Sequence, residues 1–181
     1  MATTLRRSAS FLMVVALVVG LLAVSVLPAS ARSSKAAKTP SIVDVALDVN
    51  AQSGEFSVLI AALQAADPAV LQTLSSKGQY TVFAPTDAAF VALLGELGMT
   101  AEELLSDQAL VTAVLLYHVA TGRSYAEDVI SSDQIRMLNG GRVAQDGGVL
   151  TDANDRMSNI IAVDVEASNG VIHVIDRVLL P

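Results

Sequence analysis

With 18 acidic side chains against 11 basic ones and no cysteine in 181 residues, the chain carries a formal charge of −7. That balance repels nucleic acid and anionic lipid headgroups, which disfavours both as partners. Without cysteine there is no disulfide framework and no lipid-modified cysteine anchor, so stability has to come from a hydrophobic core.

The first residues read as an export signal. Arg6 and Arg7 give a basic start, residues 11–27 carry no charge, Pro28 breaks the run, and Ala29-Ser30-Ala31 supplies the small residues a signal peptidase needs. Cleavage after Ala31 is expected, making residues 1–31 a signal peptide and leaving no stable membrane span. The competing reading is an uncut anchor, since the apolar run is near the lower limit of ~17–25 residues for crossing a bilayer. Removing 31 of the 181 residues leaves 150, enough for one domain and too few for two ordinary ones. Arg6 and Arg7 leave with the leader, so 9 basic residues then face 18 acidic ones, a formal charge of −9. Residues 32–40 are small and basic with no apolar periodicity, as in a flexible linker. The domain is expected to span residues 41–181.

Its first half is helical. Ser41 and Asp44 have the spacing of an N-cap and its partner. Phe56, Leu59, Ile60 and Leu63 follow a buried helical stripe. Asp67-Pro68 starts the next helix, with Asp as cap and Pro at the first helical position, and Gly78 is placed to end it. Residues 80–90 then change character within one stretch. Tyr80, Val82 and Ala84 alternate with Thr81 and Phe83 at the period of a strand, and Pro85 stops the ladder. Thr86 and Asp87 both offer a side-chain acceptor to the helix that continues through Phe90; Asp87 is taken as the cap, with Thr86 as its competitor.

Thr100 and Glu103 have capping-box spacing, and Asp107 starts a helix whose Leu110, Val111, Val114, Leu115 and His118 share one face. Ser124 with Glu127 suggests one further short turn. Strands follow. Residues 135–138 and 142–145 flank Asn139-Gly140-Gly141 as a hairpin, Asp146-Gly147-Gly148 makes a second turn, and Val149-Leu150 is a short strand. Ile161, Val163 and Val165 alternate with polar or small residues, as in a half-buried strand. Asn169-Gly170 is a strong hairpin signal, because both residues tolerate positive φ. Residues 172–180 read as a last strand with two apolar faces, hence central. Helices first and strands later predict an α+β domain.

Few residues carry chemistry. His118 and His173 are the only histidines, and neither has a second ligand at metal-site spacing, so both read as core histidines with hydrogen-bonded rings. No serine sits in a Gly-x-Ser-x-Gly elbow, and Gly140-Gly141 and Gly147-Gly148 flank a strand, so they are turn glycines and not a phosphate loop. Asp152, Asn154 and Asp155 put three oxygen-bearing side chains in one loop, but without EF-hand spacing or its distal Glu; a solvated loop is the plainer reading. No metal, cofactor or catalytic residue is assigned.

Three stretches resemble the fasciclin (FAS1) domain family in the family's order: residues 80–90, Tyr117-His118-Val119, and the closing residues 169–181. The resemblance implies a wedge of β-strands with helices packed along one side. It implies structural roles for Thr81, Phe83, Pro85, Thr86, Asp87, Phe90, His173 and Asp176. It also implies a secreted, periplasmic or cell-surface interaction or adhesion module that is not an enzyme, with Tyr117 and His118 in contact with a partner. Adjacent helical residues point ~100° apart, so His118 is expected inward and Tyr117 at the flank with its hydroxyl wet. The partner is an extracellular or cell-surface protein or polysaccharide, and self-association is one way for a lone domain to bridge two surfaces. The alternative function is a carrier holding a small lipid-like ligand in an apolar cleft.

Overall fold

The computed structural model describes residues 39–181; the expected signal peptide and all but the last two residues of the expected linker lie outside them. Three helices come first: α1 (Ile42–Ser53), α2 (Ser57–Ala65) and α3 (Pro68–Ser75). Strand β1 (Tyr80–Pro85) leads into α4 (Asp87–Leu97), α5 (Ala101–Ser106) and α6 (Gln108–Tyr117). After β2 (Val119–Thr121) and α7 (Ala126–Ile130), the chain finishes with β3 (Gln134–Arg136), β4 (Arg142–Asp146), β5 (Val149–Thr151), β6 (Met157–Ala167) and β7 (Gly170–Ile175).

Most helix starts follow their capping residues. Ser41 and Asp44 form the capping box of α1, Asp67 caps α3 with Pro68 at its first turn, Thr100 and Glu103 box α5, and Asp107 caps α6. Three boundaries differ from expectation. The cap of α4 is Thr86, whose hydroxyl accepts from the Ala89 N–H at 3.3 Å, and Asp87 is the first helical residue. At α7 the carboxylate that reaches back is Asp128, accepting from the Tyr125 N–H at 3.1 Å, one residue later than the Ser124–Glu127 pair. Helix α3 already ends at Ser75, with Ser76 at its C-cap; Gly78 lies in the turn to β1.

The seven strands form one mixed sheet in the order β2-β1-β7-β6-β5-β4-β3, in which only β1 and β7 run parallel. The two ends meet at an Ala120–Met137 bridge, reinforced by the Leu138 N–H donating to the Val119 carbonyl at 2.7 Å, so the sheet almost closes into a barrel. All six residues of β7 are buried. Ile172 and Val174 join the larger core beneath the helices, with Leu59, Leu63, Phe90 and Leu115; Ile175 joins a second cluster inside the barrel with Phe83, Tyr117, Val143 and Leu150. The wedge expected from the resemblance is therefore present: helices on one side of a sheet that curls around a core of its own.

Three expectations about the last strands are corrected. Residues 176–180 leave the sheet: the ladder ends at Ile175, and Asp176 turns its carboxylate to the Asn159 N–H and side-chain amide, both at 2.7 Å. In β6, Ile161 and Val163 are 57% and 49% exposed, because two register shifts against β7 break the alternation, one of them beside Asp164 at φ 59°. The β6–β7 turn is Ser168-Asn169, one residue earlier than expected; Gly170 already pairs with Ala167 as the first residue of β7, and neither Asn169 nor Gly170 has a positive φ. Gly170 is required because a Cβ there would lie 2.0 Å from the Tyr80 carbonyl oxygen of β1. Asn169 is a clamp: its Oδ1 accepts from the Ile42 N–H at 2.8 Å, and its Nδ2 donates to the carbonyls of Leu74 at 2.6 Å and Ser76 at 2.9 Å.

Candidate functional site

The motif residues converge at the end of α6. The apolar face of that helix, Val111, Val114 and Leu115, is buried, and so are Tyr117 and His118 at its end. His118 Nε2 accepts from the Leu179 N–H at 3.0 Å, so the ring proton sits on Nδ1 and is donated to the Val114 carbonyl at 2.7 Å. Burial pushes the imidazole down to about 4, outweighing the hydrogen bond to Val114 and the charge of Asp152, both of which favour the charged form. The His118 carbonyl accepts from the Phe83 N–H at 2.8 Å, tying the helix end to β1.

Tyr117 is only 1% exposed, which corrects the expectation of a wet hydroxyl at the domain edge. Its ring fills the barrel core, and a Cβ at Gly141 would lie 2.6 Å from it. Its hydroxyl donates to the Arg142 carbonyl at 2.7 Å and accepts from the Ala153 N–H at 3.1 Å. Burial raises the phenol above its usual range, opposed by the hydrogen bond from Ala153 and helped by the charge of Asp152. The helix can bury both neighbours because it lies between the two cores and ends there: Tyr117 enters the barrel while His118 faces the helical layer.

Asp152 completes the arrangement, which corrects the expectation of a solvated loop there. Its side chain is fully buried. Oδ1 accepts from the N–H groups of Asn154 at 2.9 Å and Arg156 at 3.0 Å, and Oδ2 from the Leu180 N–H at 2.9 Å. Thus two consecutive backbone donors of the C-terminal segment, Leu179 and Leu180, are held by His118 and Asp152 in place of a sheet neighbour. Arg156 adds a bond to the Val178 carbonyl at 3.3 Å and an ion pair with Glu96 of α4 at 2.6 Å.

Of the other motif residues, Thr81, Phe83, Pro85 and His173 lie in the sheet, while Phe90 is on α4 and Asp176 follows β7. Thr81 accepts from the Ser124 N–H at 2.9 Å and donates to the Gly122 carbonyl at 2.9 Å. Phe83 stacks on His173 with centroids 5.6 Å apart, and His173 Nε2 donates to the Ser124 carbonyl at 3.0 Å. Pro85 ends β1, and Phe90 is buried in the helical core. Burial favours the protonated form of Asp176, but hydrogen bonds from Asn159 and Ser158 and the charge of Arg177 outweigh it and lower its pKa. Both histidines are thus engaged through both ring nitrogens, His173 Nδ1 facing the Asp164 N–H at 3.5 Å. Among the described residues, no three His, Asp or Glu side chains gather as metal ligands would. The apolar voids lined by Ala84 and Ile172, between helices and sheet, measure about 30 and 40 Å³. A ligand pocket usually offers ~300–1,000 Å³, so the lipid-carrier alternative finds no cleft of the needed size there. Nor is any single helix among the described residues long and apolar enough to cross a membrane.

Helices laid against a nearly closed mixed sheet, with buried His118 and Asp152 holding the C-terminal segment, define an α+β wedge domain. The model of the Fasciclin domain matches residues 54–181. Protein sll1483 of Synechocystis is 40% identical over 140 residues, covering 75% of this chain and 72% of that protein. Immunogenic protein MPB70 of Mycobacterium bovis is 35% identical over 130 residues, 70% of this chain and 64% of its own length. Transforming growth factor-beta-induced protein ig-h3 of Sus scrofa is 33% identical over 138 residues, 75% of this chain but 19% of that protein. A solved FAS1 domain pair from the insect cell adhesion molecule Fasciclin I shares the fold, with a TM-score of 0.54 and 21% identity over 71% of this chain and 46% of that one. The chain belongs to the fasciclin domain family.

Proposed function

We propose that the chain is a secreted or cell-surface interaction module of the fasciclin type with no catalytic activity of its own. In this reading residues 1–31 are a cleaved signal peptide, 32–40 a linker and 41–181 the functional domain. Its partner is an extracellular or cell-surface protein or polysaccharide. The observation that carries it is the exposure of Met157, Ile161 and Val163 on bulged β6, while the polar motif residues are spent on internal bonds. Large apolar side chains exposed together mark a surface for protein contact. That Fasciclin I is an insect cell adhesion molecule agrees with this reading. Tyr117 and His118 then act indirectly, Tyr117 by filling the barrel core and His118 by holding Leu179 of the C-terminal segment.

The test is a pull-down from cell-surface extract with the exported chain, repeated with the Ile161→Lys, Val163→Lys double variant. Retention should fall at least tenfold while the melting temperature stays within a few degrees. Unchanged retention would move the contact surface off β6, and turnover of a substrate by the purified chain would end the non-catalytic reading.

A further inference from the structure

Although the sheet almost closes, no ladder joins β2 to β3 beyond the Ala120–Met137 bridge. The gap holds a cavity of about 210 Å³. Phe83 and Val129 lie behind it, and its wall includes Thr121, Ser124, Gln134 and Arg136. Unlike the apolar voids under the helices, this one is lined largely by hydroxyl, amide and guanidinium groups.

The charge beside it is unusual for so acidic a chain. Arg136 stands directly opposite Arg142 in the β3–β4 register, so both guanidinium groups leave the same face of neighbouring strands. Like charges placed opposite each other destabilise a strand pair. Neither arginine has a carboxylate partner among the described residues, where the ion pairs all involve Arg156 or Arg177. Arg142 donates to Gln134 Oε1 at 3.0 Å, which orients the amide at the cavity wall. A repulsive cation pair left unneutralised, next to a cavity lined by hydroxyl groups, is a place prepared for an anion.

We propose that the gap between β2 and β3 binds an anionic saccharide, with one sugar ring among Thr121, Ser124 and Gln134 and its oxyanion on Arg136. A planar guanidinium takes a carboxylate or phosphate through two parallel hydrogen bonds, and Arg142 adds to the same field. The hydroxyl groups and the amide both donate and accept, as ring hydroxyls require. The volume holds about one ring, below the ~300 Å³ at which larger ligand pockets begin, so a polysaccharide would offer a single residue. This gives the interaction module proposed above a partner class and rests on that reading.

Amide chemical shifts of the exported chain, titrated with glucuronate, glucose 6-phosphate, glucose and acetate, test the site. Either anionic sugar should shift the Thr121, Ser124 and Arg136 signals saturably, and the tighter one identifies the oxyanion. Glucose and acetate should each bind at least tenfold more weakly. Arg136→Gln should weaken the anionic sugar at least tenfold and, by removing the like-charge pair, leave the unliganded melting temperature equal or higher; a purely structural arginine would lower it. No saturable shift, equal binding of acetate or glucose, or undiminished binding by Arg136→Gln would each overturn the proposal. Failure here with β6-dependent retention intact would remove the saccharide site alone.

Discussion

The Asp87 carboxylate caps a helix other than its own: Oδ1 accepts from the Val58 N–H at 2.8 Å, and Oδ2 from the neighbouring Ser57 N–H at 3.1 Å. Helix α2 has no side-chain cap from Phe56, its own N-cap residue, so an acid thirty residues away satisfies its free donors. The negative charge also sits at the positive end of the α2 dipole.

Asp87→Ala and Thr86→Ala should therefore each cost about 1 kcal/mol, through different helices. Hydrogen exchange separates them. Asp87→Ala should accelerate exchange of the Ser57 and Val58 amides, and Thr86→Ala that of Ala89. If Asp87→Ala instead exposes the Ala89 amide, the division of labour is wrong.

The Leu179–His118 bond makes stability depend on pH. The folded state requires neutral His118, with its pKa near 4, whereas in the unfolded chain it titrates near ~6.5. Between those values the unfolded state binds more protons, so this contribution is complete above about pH 6.5 and is lost as the pH falls towards 4. The shift corresponds to at most about 3 kcal/mol. Urea unfolding at pH 7, 5.5 and 4.5 should show the decline in the wild type and a flatter profile in His118→Gln. Equal slopes would show that another group titrates in this window.

Tyr117 should behave as a core residue. Tyr117→Ala removes a buried ring and should cost about 3–5 kcal/mol. Tyr117→Phe keeps the ring but leaves the Ala153 N–H and Arg142 carbonyl without their partner, for about 1–3 kcal/mol. Thermal melts of both variants check this; an alanine variant melting like wild type would place the ring outside the core.

The central strand admits no charge. Ile172→Asp or Val174→Asp buries a carboxylate in the helical core, at a cost of several kcal/mol against a total of ~5–15 kcal/mol. Loss of cooperative unfolding by circular dichroism is expected, and a variant that melts near wild type would contradict it.

Periodicity and capping chemistry made much of this fold readable. Leu59 with Leu63, Asp67-Pro68 and the two-faced strand of Ile172 and Val174 each carry a local signal that tertiary structure reinforces. What stayed hidden depends on distant partners. Nothing near Asp87 announces Ser57, and nothing near Asp152 announces Leu180. The sequence around Asn169 signals a turn, but its clamp on Ile42 and Leu74 comes from packing against helices many residues earlier. Helical geometry puts Tyr117 one step from a buried face, a rule that holds for a helix on one core. Because α6 ends between two cores, both Tyr117 and His118 are buried.

The strand that all of this surrounds is the last one made. β7 pairs with β1 from Tyr80–Gly170 to Pro85–Ile175, so the centre of the sheet cannot assemble until almost the whole chain exists. A growing chain therefore holds helices and hairpins but no completed core, and long-range parallel pairing is slow to form. The sheet thus closes around a strand contributed at the end of synthesis, and β1 and β6 both wait on it for their central neighbour.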